Sequence, residues 1–280
     1  MFVAINDHVL HCDLSGEIGR PALVLLHSLG TSAEVWSEQV AEFQRDFWIV
    51  RPDFRGHGLS EISRTPVTIE SLASDVLGIL DALEIESFHL SGISIGGLVA
   101  QAVRGRAPER VRSMTLFDTS IMSASPRHWL DRAATCRDHG LGSIADYIVS
   151  TWMTAEAYTT PEGRGLTTML SRTPDEGYAS LCDALADADC RPHATPLGCP
   201  TTVAVGEHDQ ATPRTAAEQL AAALGDLPVQ TIAGAAHIPL YQAAAQVNDI
   251  LRDTIRQAGA ARGAPNVRDA STPADDRGST

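Results

Sequence analysis

Residues 90–101 read Leu90-Ser91-Gly92-Ile93-Ser94-Ile95-Gly96-Gly97-Leu98-Val99-Ala100-Gln101. An apolar strand from Phe88 to Leu90 runs into G-x-S-x-G, and an apolar helix follows at once. Glycine at 92 and 96 suits a turn too tight for side chains, with a serine held at the apex of a strained bend. Such a bend pushes the Ser94 hydroxyl out of the sheet. It also leaves the Ile95 N–H at the start of the next helix, where the free donor and the helix dipole both favour a developing oxyanion. A Gly/Ser turn of ordinary kind has the same five residues, so what counts is the strand before, the helix after and the partners downstream.

Composition agrees with an enzyme that has a sizeable core. The 280 residues, 44% of them hydrophobic, suffice for one large domain or a domain with an insertion. No apolar run approaches the roughly 18 residues of a membrane span. The start, MFVAINDHVLHC, lacks a charged segment followed by an apolar one, so a cytoplasmic protein without a membrane partner is expected. Cysteines 12, 136, 182, 190 and 199 are odd in number, scattered and without C-x-x-C spacing, which indicates buried thiols and neither a disulfide framework nor a zinc site. A net charge of −14 argues against nucleic acid as a partner and requires placed arginine if the substrate is an anion. All 21 basic residues are arginine. Without lysine, Schiff-base chemistry, pyridoxal phosphate attachment and a P-loop are excluded.

Along the chain, Phe2 to Ile5 and Val9 to Leu14 read as two strands joined at Asn6-Asp7. Ala22 to Leu26 is a continuous apolar run, as in a strand buried on both faces, and ends in His27-Ser28-Leu29-Gly30-Thr31. In a serine hydrolase of this layout the loop after the third strand supplies the second oxyanion donor, which makes the Leu29 N–H the candidate. A helix over Val35 to Phe43 and a strand from Trp48 to Val50 lead to Arg51-Pro52-Asp53-Phe54-Arg55-Gly56-His57-Gly58-Leu59-Ser60. His57 lies inside this loop and before the nucleophile, which favours a structural role. Thr68 caps a helix over 69–83 whose Leu72, Val76, Ile79, Leu80 and Leu83 share a face. Val111 to Phe117 is a further strand, ending at Asp118. Strands alternating with helices specify an α/β fold with a mainly parallel eight-stranded sheet flanked by helices.

The alternation stops after the sixth strand. Four helices are predicted at about 127–138, 142–153, 164–171 and 175–187, with Ser125-Pro126 opening the first and Thr173-Pro174-Asp175-Glu176 a capping box for the last. This all-helical insertion reads as a lid over the carboxyl ends of the strands. Thr201 to Val205 resumes the sheet and delivers Gly206-Glu207-His208-Asp209. A helix from Pro213 to Leu224, a strand from Val229 to Ile232, the loop to His237 and a helix from Pro239 to about Gln257 follow. The expected division is hydrolase core at 1–121 and 190–257, lid at 122–189, and a polar, disordered tail at 258–280.

A serine hydroxyl needs an imidazole in reach, and the imidazole needs a carboxylate to fix its tautomer. His237 and Asp209 lie in loops past the last two strands, and the order Ser94…Asp209…His237 is that of α/β hydrolases. Glu207 next door and Asp118 after the sixth strand compete for the acid. Aspartate-dependent dehalogenases and epoxide hydrolases of the same fold are set apart by the serine at 94.

The stretches HSLGTSAEVW (27–36), RPDFRGHGLS (51–60), the elbow region 69–101, TPDEGYASLCDALADAD (173–189), VGEHDQATP (205–213) and AGAAHI (233–238) resemble the 3-oxoadipate enol-lactonases, α/β hydrolases of aromatic-acid catabolism. The similarity runs from about Val3 to Leu251. The helical segment EGY…C.A..D.D is its more diagnostic part. The resemblance implies Ser94, Asp209 and His237 as the triad, Leu29 and Ile95 as oxyanion donors, and ring opening of 3-oxoadipate enol-lactone without metal or cofactor. Two departures are Ile95, where the family often has methionine, and Trp152-Met153, where it has tryptophan-phenylalanine. A related hydrolase of another small ester or lactone, such as an acyl-homoserine lactone or a haloperoxidase-like esterase, and a ligand sensor without turnover are the alternatives. For an acidic lactone, Trp129 and Arg132 are the candidate binders. They stand three residues apart on one helical face, and the similar enol-lactonases place a tryptophan and an arginine in this helix.

Overall fold

The computed structural model describes residues 1–5, 8–194 and 198–263. The expected turn at Asn6-Asp7 and residues 264–280 of the expected tail lie outside them. The chain opens with β1 (Phe2–Ile5), β2 (His8–Ser15) and β3 (Ala22–Leu26), then a 3₁₀ turn (Ala33–Trp36) and α1 (Ser37–Phe43). β4 (Trp48–Pro52), α2 (Ile69–Ala82), β5 (Phe88–Ile93), α3 (Ile95–Arg106) and β6 (Val111–Phe117) follow. The helical stretch is α4 (Pro126–His139), α5 (Ala145–Trp152), α6 (Ala155–Tyr158), α7 (Pro161–Arg172) and α8 (Asp175–Ala186). β7 (Thr201–Gly206), α9 (Arg214–Ala223), β8 (Val229–Ile232), α10 (Pro239–Gln242) and α11 (Ala244–Gly263) complete it.

The strands form one eight-stranded sheet in the order β1-β2-β4-β3-β5-β6-β7-β8. β2 runs antiparallel to β1 and β4, and the remaining pairs are parallel. β3, β4 and β5 are buried throughout; β3 accordingly reads as an unbroken apolar run, while the polar His89 and Ser91 of β5 are bonded to Ser113 Oγ and Thr115 O of β6. The chain builds outward from β3 to β4 and then returns to place β5 on the other side of β3. That reversal opens the crevice in which open α/β sheets hold their sites. Among the described residues no helix is long and apolar enough to cross a membrane.

Local signals explain most helix starts. Thr68 accepts from the Ser71 N–H while Ser71 answers to the Thr68 N–H, and the predicted face of α2 is buried apart from the half-buried Leu83. Three details differ from expectation. α7 begins at Pro161, because Thr160 caps it through Gly163 N–H with proline at the first position, and the short α6 precedes it. The capping box at Thr173 does not form: the Thr173 hydroxyl donates back to Met169 O, ending α7, and α8 starts at Asp175 with Pro174 at the cap position and no side-chain cap. The last helix is broken at Ala243, where φ is −140° and ψ is 44°. α11 then continues past Gln257 into the stretch read as disordered tail, where alanine sustains the helix.

The helices between β6 and β7 touch three loops at the carboxyl edge. A Cβ on Gly30 would meet Leu170 and Tyr178, one on Gly56 would lie 2.4 Å from Gly177 Cα, and the Ile238 N–H donates to Trp152 O at 3.1 Å. Gly56 also has a φ of +70°. Gly56→Ala should therefore destabilise the fold by about 1–3 kcal/mol, lowering the urea midpoint at constant m. Gly165→Ala, in α7 with nothing within 4 Å, should leave the midpoint unchanged or raise it.

Candidate active site

Ser94 sits between the end of β5 and the first turn of α3 with φ 57° and ψ −123°, a conformation that L-residues rarely adopt. Its N–H donates to Phe117 O at 3.0 Å, and its carbonyl accepts from Gly97 N–H and, at 2.6 Å, from the Thr119 hydroxyl. A Cβ at Gly92 would stand 2.2 Å from Gly96 O, and one at Gly96 would stand 2.4 Å from Leu26 O. Only hydrogen fits at either position. Ser94 is half-buried while its chain neighbours are buried, so the elbow presents this one side chain.

The two candidate oxyanion donors come from adjoining segments, since a Cβ on Gly96 would stand 2.6 Å from His27 O, where the Leu29 loop begins. Ile95 opens α3, and Leu29 is in the loop after β3; among the described residues neither N–H has a hydrogen-bond acceptor. The Leu29 loop is held from behind. Gly30 N–H donates to His57 Nε2 and Phe54 N–H to His27 Nε2, both at 2.9 Å, so each ring carries its proton on Nδ1 and donates it to a backbone carbonyl. Burial pushes His57 down to about 3, with the neighbouring His27 adding to the shift, and burial lowers His27 as well. His57 is a neutral prop of the loop.

At the far side of the crevice His237 Nδ1 and Asp209 Oδ2 are 3.0 Å apart, with both side chains buried. Asp209 Oδ1 accepts from Ala211 N–H at 2.8 Å and Thr212 N–H at 3.0 Å. Its carboxylate therefore holds a fixed rotamer and receives the His237 Nδ1–H, leaving Nε2 as the basic nitrogen. Glu207, the competing acid, is exposed and accepts from Gly234 N–H, and His208 is exposed beside it. The Trp152 ring lies 6.4 Å from that of His237, so a residue of the helical stretch packs on the imidazole. Among the described residues Ser94 Oγ makes no hydrogen bond to His237. In α/β active sites that contact commonly tightens only when substrate is bound.

Asp118 follows β6, and its buried carboxyl belongs to the same cluster: ligand atoms of Asp118, Asp209 and His237 all lie within 4.8 Å of one another. These are candidate cation ligands by type. Asp209 and His237 are already committed to each other, which suits a hydrogen-bond chain rather than coordination.

In α4, the Arg132 guanidinium lies over the Trp129 ring at 5.1 Å. Arg132 is half-buried and, among the described residues, pairs with no carboxylate. The fully buried Tyr178 hydroxyl stands beside it without a well-formed hydrogen bond, and burial pushes that hydroxyl's pKa up.

The model of the alpha/beta hydrolase fold family matches residues 21–135. Two 3-oxoadipate enol-lactonases of Acinetobacter baylyi are similar: number 2 is 36% identical over 74% of this chain and 78% of its own length, and number 1 is 33% identical over 72% and 77%. The crystal structure of the enol-lactonase from Burkholderia xenovorans superposes with a TM-score of 0.87 at 33% identity, covering 91% of this chain and 100% of that one.

A histidine held neutral in the folded chain protonates more readily once unfolded. For His57, the stability present above pH 6.5 should fall as the pH drops toward 3, by about 1.4 kcal/mol per pH unit. His57→Gln keeps an acceptor for Gly30 N–H and cannot titrate. Urea midpoints at pH 7.5 and 5 should therefore differ less in this variant than in the wild type; an equal difference would place the acid sensitivity elsewhere.

Proposed function

Because this chain belongs to the 3-oxoadipate enol-lactonase family of α/β hydrolases, we propose that it hydrolyses the ring ester of 3-oxoadipate enol-lactone to 3-oxoadipate. The observation that carries this assignment is the buried 3.0 Å pair of His237 and Asp209 at the sheet edge where Ser94 stands at φ 57°. The role of Ser94 is nucleophile, that of His237 general base and acid, and that of Asp209 the carboxylate that orients the ring.

Ser94 Oγ attacks the lactone carbonyl as His237 Nε2 takes its proton. The carbonyl oxygen gains a negative charge, which the N–H groups of Leu29 and Ile95 receive without rearrangement. Collapse breaks the ring C–O bond, and the enol oxygen leaves with the proton from His237. The leaving group stays tethered, because it is part of the same molecule as the acyl-enzyme. Water, deprotonated by His237, then releases Ser94, and the enol becomes the ketone of 3-oxoadipate.

Such a substrate carries a free carboxylate into a protein of net charge −14. Arg132 supports its binding: a half-buried guanidinium without a carboxylate partner among the described residues, stacked on Trp129, is free to form two parallel hydrogen bonds with an anion. The stretch 122–189 acts in this scheme as a lid on the core formed by 1–121 and 190–257, with Trp152 shielding His237 from water. All five cysteines are free, which agrees with a reducing, cytoplasmic setting.

Steady-state kinetics on the enol-lactone test the assignment. Ser94→Ala should lower kcat on the order of 10⁴-fold or more, and Asp209→Asn should do so strongly while Glu207→Gln does not. Retention of about a tenth of kcat by Ser94→Ala would remove the serine from the chemistry. Arg132→Leu should reduce kcat/KM toward the anionic lactone by roughly 10- to 150-fold and spare a neutral ester of similar size. Equal losses on both would make Arg132 a structural part of the helical stretch.

A further inference from the structure

Asp118 lies one residue beyond β6, and its φ of +44° turns the side chain sideways toward the end of β7. Its N–H donates to Ala204 O at 2.9 Å, and its Oδ1 accepts from Gly206 N–H at 2.8 Å, where the loop carrying Asp209 departs. The other oxygen, Oδ2, is buried and receives no donor among the described residues. An anionic oxygen left without a donor in a dry site is strongly disfavoured. The neighbour within reach is the second acid, since the Asp118, Asp209 and His237 ligand atoms lie within 4.8 Å of one another.

Two carboxyls side by side in a buried site cannot both ionise, so one keeps a proton. Their donors decide which. Asp209 receives three: the His237 Nδ1–H and the N–H groups of Ala211 and Thr212. Among the described residues Asp118 receives only that of Gly206. The charge therefore belongs to Asp209 and the proton to Asp118.

We infer that Asp118 is a neutral carboxylic acid that donates its Oδ2–H to Asp209, and so positions the anion that orients His237. Burial first, and then the charge of Asp209, hold its pKa well above the ordinary carboxylate range, in keeping with this state. The titratable groups that face it are Asp209, from the loop after β7, and His237, from the loop after β8. Asp118 touches no reacting atom and is a positioning residue. Its kinetic role rests on the triad proposed above; its protonation state does not.

The test uses the full chain with Asp118→Asn and Asp118→Ala. A carboxyl kept neutral by the fold binds its proton more tightly when folded, so its contribution to stability declines as pH rises above the ordinary carboxylate range. The Tm of Asp118→Asn relative to wild type should therefore rise from pH 5 to pH 8. A relative Tm that does not change with pH overturns the neutral acid. In kinetics, Asp118→Ala should lower kcat about 10- to 100-fold and move the acid limb of kcat/KM to higher pH, because Asp209 then bears a fuller charge beside His237. Asp118→Asn, which still donates to Asp209, should recover most of both changes. A loss in Asp118→Asn as large as in Asp209→Asn would make Asp118 the anion and also overturn the inference. If the relative Tm rises as expected while Asp209→Asn keeps its activity, the triad assignment fails and the neutral acid stands.

Discussion

The functional edge depends on how closely the first turn of α3 approaches the ends of β3 and β5. With hydrogen alone at 92 and 96, the Gly96 backbone comes within a Cβ's reach of Leu26 O and of the Gly92 position. That approach forces Ser94, at the apex between strand and helix, to φ 57°, and the strain is balanced by hydrogen bonds to Phe117 O and from Thr119. Three consequences share this cause. The serine side chain projects, the Ile95 N–H begins a helix without an acceptor, and the Leu29 loop, rooted in β3, is drawn alongside.

Behind that loop the polar groups form a closed set. Asp53 accepts from Ala33 N–H at 2.7 Å and Leu59 N–H at 3.1 Å and lies 2.8 Å from His11 Nδ1, while Arg55 grips Asp75 through two bonds of 2.6 and 2.7 Å. Buried ion pairs of this kind add little net stability, because desolvation offsets most of the attraction. Their effect here is to hold the β4 loop in one shape, and through it His57, whose Nε2 fixes Gly30 N–H beside the candidate oxyanion donor. Neutrality is essential to that contact: a protonated Nε2 could not accept the bond. Burial, not a charged partner, provides it.

The helices above the edge are tied to the same loops. Tyr178 and Leu170 close over Gly30, Gly177 over Gly56, and Trp152 over the His237 loop. α4 is held to α8 by Arg137, which bonds Glu176 and Asp183 at 2.7–2.9 Å; these exposed groups contribute modestly each and act as a network. Arg132, on the same helix, is left without such a partner among the described residues, so one helix carries both an arginine consumed by structure and one available to an anion.

The sequence alone determined what its own neighbouring residues decide. A continuous apolar run marked β3 to the residue, Thr68 marked the start of α2, and the paired glycines marked the bend at Ser94. These signals act over a few positions, through pleat period, cap and backbone freedom. The sequence preferred Asp209 as the acid from chain order and kept Glu207 and Asp118 as competitors. The tertiary structure adds what spacing does not carry: it buries Asp209 against His237, turns Glu207 out to Gly234 and leaves Asp118 with an unmatched oxygen. The same holds for the break at Ala243 and for the failed cap at Thr173, where packing outweighs local preference. A side chain's charge, tautomer and partner depend on residues brought up from far along the chain. Gly206 meets Asp118 across 88 positions, a distance at which propensity and spacing carry no information.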